Sequence, residues 1–151
     1  MIDISDIFTE DFILLDIDIH SKNDLFEAAA NHLYSEGAIK NKEIFIKALY
    51  ERENIGETGV GEGFAIPHAK SATVNKPVVL YIKNKSKIEY ESLDDLPVDS
   101  FFMLAVPENS GNEHISLLSS VACLLLEDEF KIKLENADNK SEIVRLVNEY
   151  I

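Results

Sequence analysis

Two histidines and their surroundings carry the chemistry open to this sequence. His68 sits in the run Gly59-Val60-Gly61-Glu62-Gly63-Phe64-Ala65-Ile66-Pro67-His68-Ala69, where three alternating glycines precede a short apolar stretch. The β-prone residues from Phe64 to Ile66 predict a brief buried strand. Pro67 has no N–H for a ladder, so the strand is expected to stop or lie at an edge there. His68 would then stand at a strand end as an exposed imidazole, with rigid backbone behind it and a glycine loop beside it. An unperturbed imidazole titrates at about 6.5, which suits a nucleophile working at neutral pH. Each signal also has an ordinary counterpart. A histidine after a strand is more often structural than reactive, and a GxGxG run ahead of a strand is not the dinucleotide fingerprint, which follows one. His114 is the second candidate. It falls in the first turn of a helix that Ser110 and Glu113, at capping-box spacing, are expected to open. There the helix dipole lowers an imidazole's pKa, and free backbone N–H groups favour an anion. The ordinary alternative is an exposed first-turn histidine. His20 and His32 fit no pattern and are expected at the surface.

The stretch from Glu53 through Gly59 to Ala69 resembles the active-site signature of the fructose/mannitol-type enzyme IIA domain of the sugar phosphotransferase system. The resemblance runs from about Phe12 to Ile151. It implies that His68 takes a phosphoryl group from the phosphohistidine of HPr and passes it to a cysteine on a cognate IIB domain. Sugar would be phosphorylated later, during uptake through the membrane IIC component, so no sugar pocket and no cofactor are implied here. His114 becomes the partner of the phosphorylated histidine. Arg52 matches the arginine at the helix end before the signature, and guanidinium is a bidentate phosphate clamp. Thr58 stands where the family has a hydroxyl ahead of the glycine turn, able to bond a phosphate oxygen or to hold the loop. Two positions depart from the pattern: Glu57 replaces a small hydroxyl residue, and Phe64 is bulkier than the usual aliphatic. Two rivals remain open, a regulatory nitrogen-type enzyme IIA and a binding module that has lost catalysis.

The elements that must position these residues follow from apolar spacing. Strands are expected at Phe12–Leu15, Val78–Ile82 and Phe101–Val106, with a turn over Lys83–Lys87 and a short edge strand at Ile88–Tyr90. Helices are expected after Ser21 (Leu25, Phe26, Ala29 and Leu33 inward, Gly37 closing) and after Asn41 (Ile44, Phe45, Ala48 and Leu49 inward). Further helices are expected after Ser110, over Phe130–Leu134, and after Ser141, where Val144, Val147 and Ile151 would face inward. Alternating strands and helices without a linker or repeat predict one α/β domain over 1–151, a mixed β-sheet sandwiched by helices.

Composition narrows the function classes. The 28 acidic and 14 basic residues give a formal charge of -14. That field repels phosphate backbones and anionic lipid, which argues against nucleic acid and membrane surfaces, and it attracts a basic protein partner. The only cysteine, Cys123, excludes an internal disulfide, fits a reduced cytoplasm, and reads as a small buried hydrophobe. The acidic start Met1–Asp6 lacks the pattern of a signal peptide, and no apolar run approaches the roughly 20 residues of a membrane span. The histidines are too dispersed for a metal cluster, so no metal is expected.

Overall fold

The apolar run around Phe101 forms β6 (Val98–Pro107), the central strand of a six-stranded mixed sheet in the computed structural model, which describes residues 3–151. Met1 and Ile2, the first residues of the acidic start, lie outside the described residues. Antiparallel to β6 runs β5 (Val78–Ile88), and β1 (Ile13–Ile17) lies parallel to β5 beyond it. On its other side β6 pairs in parallel with two short strands, β3 (Phe64–Ala65) and β4 (His68–Ser71). β2 (Gly59–Gly61) is antiparallel to β3 and forms a hairpin with it.

Side chains alternate across a strand, so β6 builds two cores at once, which is why its sequence is apolar throughout. Phe101, Met103 and Ala105 join Val78, Leu80 and Ile82 of β5 in one layer. Phe102, Leu104 and Val106 join Val79 and Tyr81 in the other. The first layer is closed by α2 (Lys22–Ser35) and α3 (Lys42–Glu53), through Leu25, Phe26, Leu33, Phe45 and Leu49. The second is closed by α1 (Ile4–Ile7), α4 (Glu113–Leu124), α5 (Asp128–Asn136) and α6 (Lys140–Tyr150). The architecture is the expected one, an α/β domain with a mixed sheet between helices.

Several local expectations are corrected. Lys83–Lys87 is not a turn, because β5 continues through it to Ile88. The buried Asn84 helps here: it pairs with Ile17 of β1, its Oδ1 accepts from Ile19 N–H, and its Nδ2 donates to the Ile19 and Ser86 carbonyls. Ser110 does not cap α4; the N-cap is Asn112, with no side-chain bond. Asn139, not Ser141, caps α6. Ile44, Ile151 and Cys123 are exposed, and α4 turns Leu117, Val121 and Leu124 inward. Ser21 and Asn41 cap α2 and α3 as expected.

The glycine loop is itself a two-residue hairpin turn. Glu62 and Gly63 take φ of 57° and 84°, the positive pair of a type I′ turn, whose twist matches that of the flanking strands. Gly59 is required for another reason: its N–H donates to the Glu91 carbonyl, and an added Cβ would lie 2.6 Å from that oxygen and from Ser92 Cβ. Gly59→Ala is therefore expected to destabilise the fold by about 1–3 kcal/mol, the usual range for overpacking. Chemical denaturation at unchanged m-value measures it. A change within about 0.5 kcal/mol, typical of neutral sites, would show that segment 91–92 yields freely.

Candidate active site

Pro67 separates β3 from β4, and His68 opens β4 instead of hanging from a strand end. It is not exposed. Only 5% of the residue is accessible, so the expected exposed imidazole is corrected to a buried one. The ring is held by two hydrogen bonds of opposite sense. Nδ1 lies 2.8 Å from the Ile66 carbonyl, which can only accept, so Nδ1 carries the proton. Nε2 lies 3.1 Å from Arg52 Nε, which can only donate, so Nε2 presents its lone pair. The tautomer follows from these partners. Burial lowers the His68 pKa to about 4, against the raising effect of the Ile66 carbonyl, and the charges of Arg52 and His114 lower it further.

Arg52 arrives from the last turn of α3, where a cation also complements the helix dipole. Its Nη1 donates to the Gly56 carbonyl at 3.0 Å, which fixes the guanidinium against the following loop. His114, in the first turn of α4, stands edge-on to His68 with ring centroids 5.1 Å apart. Burial lowers its pKa, with Lys70 and then Arg52 adding to the effect. Its Nδ1 and Ser110 Oγ are buried atoms without a hydrogen-bond partner. The structure thus brings His68, Arg52 and His114 together. Lys70, which sequence reasoning missed, belongs with them: two residues along β4 from His68, it shares the same side of the strand. The strand spacing was the available signal.

Thr58 is placed differently. Its hydroxyl donates to Glu53 Oε2 at 2.5 Å and shares a 2.7 Å bond with Tyr90 OH. Having one proton, Thr58 spends it on Glu53 and accepts from Tyr90. His20 is exposed beside Asp18, and His32 donates to the Asp11 carbonyl; both stand apart from the site. A cleft of about 710 Å³ lined by Lys22, Tyr90, Glu91 and Leu96 likewise excludes His68. Among the described residues, no group of three or more His, Cys, Asp or Glu side chains gathers as a metal site. No helix there is long and apolar enough to cross a membrane.

A buried imidazole with one unprotonated nitrogen, beside a guanidinium and a second imidazole, has the equipment of a histidine that carries an anionic group. Similarity to known proteins agrees. The chain matches, over residues 6–150, the family model described as phosphoenolpyruvate-dependent sugar phosphotransferase system, EIIA 2. It is 31% identical over 149 residues to the PTS system fructose-specific EIIA component of Haloferax volcanii, covering 99% of this chain and 97% of that protein. It is 32% identical over 147 residues to the PTS system fructose-specific EIIABC component of Bacillus subtilis, 97% of this chain but only 23% of that much longer protein. Among solved structures, the nitrogen regulatory protein IIA-Ntr of Neisseria meningitidis superposes with a TM-score of 0.88 at 30% identity, covering 95% of this chain and 98% of that one. The chain belongs to the type-2 EIIA family of phosphocarrier domains.

The buried geometry makes a titration prediction. The His68 ring is expected to titrate near pH 4 by NMR, with Nε2 unprotonated at pH 7. Because the folded value lies below the ordinary 6.5, the unfolded chain binds more protons between the two. The His68 contribution to stability is therefore full above 6.5 and is lost as pH falls through about 4. A ring titrating near 6.5 in the folded protein would overturn the assignment of both hydrogen bonds.

Proposed function

We propose that the chain is a phosphohistidine carrier of the sugar phosphotransferase system, with Nε2 of His68 as the acceptor atom and HPr as the donor. The observation that carries this reading is the fixed tautomer, a neutral ring whose one unprotonated nitrogen faces Arg52. In the first step the Nε2 lone pair bonds to phosphorus as the donor's P–N bond breaks and its electron pair returns to the donor's ring. No general base is needed, because His68 gives up no proton; Nδ1 keeps its hydrogen on the Ile66 carbonyl. In the second step a IIB cysteine thiolate attacks phosphorus and the N–P electron pair returns to Nε2. Transfer of this kind passes through a loose, in-line transition state, so the protein's part is positioning and electrostatics.

Arg52 blocks the attacking lone pair at rest and must turn from it as the donor docks. Its protons then meet phosphoryl oxygens, an ion-to-ion pairing in place of the ion-to-neutral bond it leaves. His114 donates to the phosphoryl group through its unpartnered nitrogen. Thr58 holds the hairpin. The transfer takes place in the cytoplasm, and the sugar served is fixed by the IIB and IIC partners. A second reading, a regulatory nitrogen-type IIA, is favoured by the 0.88 TM-score to the Neisseria protein and would use the same site. Passage of phosphate to a IIB domain separates the two.

Phosphoryl uptake from phosphorylated HPr tests the roles. His68→Ala is expected to fold and take up none; labelling at the wild-type rate would remove His68 from the chemistry. His114→Ala is expected to remain an acceptor but to transfer roughly 10²- to 10³-fold more slowly, the usual cost of one preorganised donor (about 2.7–4 kcal/mol). Wild-type rates in both half-reactions would make it an ordinary first-turn histidine.

A chain of charge -14 is also expected to meet a basic donor by electrostatic steering. Association should slow steeply as the Debye length shortens from about 30 Å at 0.01 M salt to about 10 Å at 0.1 M. A flat salt dependence in stopped-flow mixing would mean that the acidity serves solubility alone.

A further inference from the structure

Glu53 follows Arg52 at the end of α3, and only 5% of its side chain is exposed. A carboxylate buried that deeply is unfavourable unless both oxygens are met. Here both are. Oε1 accepts from Lys22 Nζ of α2 at 3.1 Å, and Oε2 accepts from Thr58 Oγ1 at 2.5 Å, one residue before β2. Lys22 also pairs with Glu91 at 2.5 Å and lies 4.6 Å over the Tyr90 ring. Tyr90 completes the circuit by donating to Thr58, and burial holds its hydroxyl in the protonated form by raising its pKa. One carboxylate thus ties α2, the end of α3, the entry to the glycine hairpin and the 90–91 segment that the hairpin packs on.

The two hydrogen bonds that fix the His68 tautomer both lead back to this carboxylate. One comes from Arg52, its neighbour in the chain. The other is accepted by Ile66, whose N–H in turn donates to the Thr58 carbonyl at 2.9 Å. We propose that Glu53 is a positioning residue of the phosphoryl-transfer site, setting Arg52 and the Thr58–Ile66 pairing in the register that presents His68 Nε2. The proposal rests on the reading of His68 as the phosphoryl acceptor. A Glu53 that served stability alone would leave the His68 ring unchanged in any variant that folds.

The test uses the full chain with Glu53→Ala and Glu53→Gln, read in two ways: steady-state phosphoryl uptake from phosphorylated HPr, and ¹⁵N NMR of the His68 ring. Wild type is expected to show a single Nδ1–H tautomer. Glu53→Ala is expected to show averaged ring signals from both tautomers and a kcat lowered about a hundredfold, the scale of an ångström's misplacement, with KM for the donor nearly unchanged. Glu53→Gln keeps the shape and one acceptor oxygen and is expected to fall between. Folded variants with wild-type uptake and a wild-type His68 spectrum would overturn the proposal. Should Glu53→Ala not fold, Glu53→Gln and Thr58→Val decide by the same spectrum: a mixed tautomer upholds the proposal and an unchanged one overturns it. If the wild-type chain takes up no phosphoryl group, the functional reading fails by itself, while the variants' spectra still decide whether Glu53 positions His68.

Discussion

The structure turns on one desolvated imidazole. Taking a neutral ring out of water with both nitrogens bonded is far cheaper than burying an imidazolium, and the site satisfies both nitrogens with partners of fixed polarity. A carbonyl cannot donate and a guanidinium cannot accept, so the ring has one protonation pattern available. Much of the local architecture serves that arrangement. Pro67 interrupts the edge between β3 and β4, placing the Ile66 carbonyl two residues behind the ring it must hold. The long apolar β6 supports both short strands from one side, pairing Ala65 with Phe101 and His68 with Leu104. The end of α3 then brings a cation to the other nitrogen.

Electrostatics act here on two length scales with opposite signs. Summed over the chain the charge is -14, which sets the long-range field. At the two histidines, however, burial lowers both pKa values and the basic side chains that add to it are positive, Arg52 at both rings and Lys70 at His114. Close charges in a partly desolvated site outweigh distant ones in water, because the effective dielectric is lower and screening weaker. An acidic chain can therefore hold basic side chains around these two histidines without contradiction.

What was legible in the sequence was what short-range chemistry decides. Ser21 and Asn41 could be read as caps because each side chain bonds an N–H three residues on. The Phe101 strand announced itself by being apolar on both faces. Reading failed where a residue's partner lies far along the chain. Asn84 looks like a turn residue, yet it lies within β5, held by two bonds to Ile19, 65 positions away, and one to the Ser86 carbonyl. Ser110 has capping-box spacing, but the chain turns left-handed at Gly111 (φ 65°) and the cap passes to Asn112. The depth of His68 had no local signal either, since its burial comes from elements around it. Glu53 stood inside the recognisable signature, but its meaning depended on Lys22, 31 residues earlier.

With His68 as the proposed phosphoryl acceptor, donor accounting separates the residues that could meet the phosphoryl group from those that hold them. Thr58 has a single proton and it is committed to Glu53; redirecting it would leave a buried carboxylate oxygen unmet, which is the costly half of breaking a hydrogen bond. Arg52 commits Nε and one Nη1 hydrogen, and only the first of these lies on the ring nitrogen that must be freed. Its remaining guanidinium protons are available without disturbing the Gly56 contact that anchors the side chain. His114 Nδ1 has no partner to lose, so a phosphoryl oxygen reaching it would satisfy a buried polar atom without displacing an existing bond. On that proposal, Arg52 and His114 could follow the phosphoryl group at little cost to the fold. Thr58, bound to Glu53 and Tyr90, has no proton left for it.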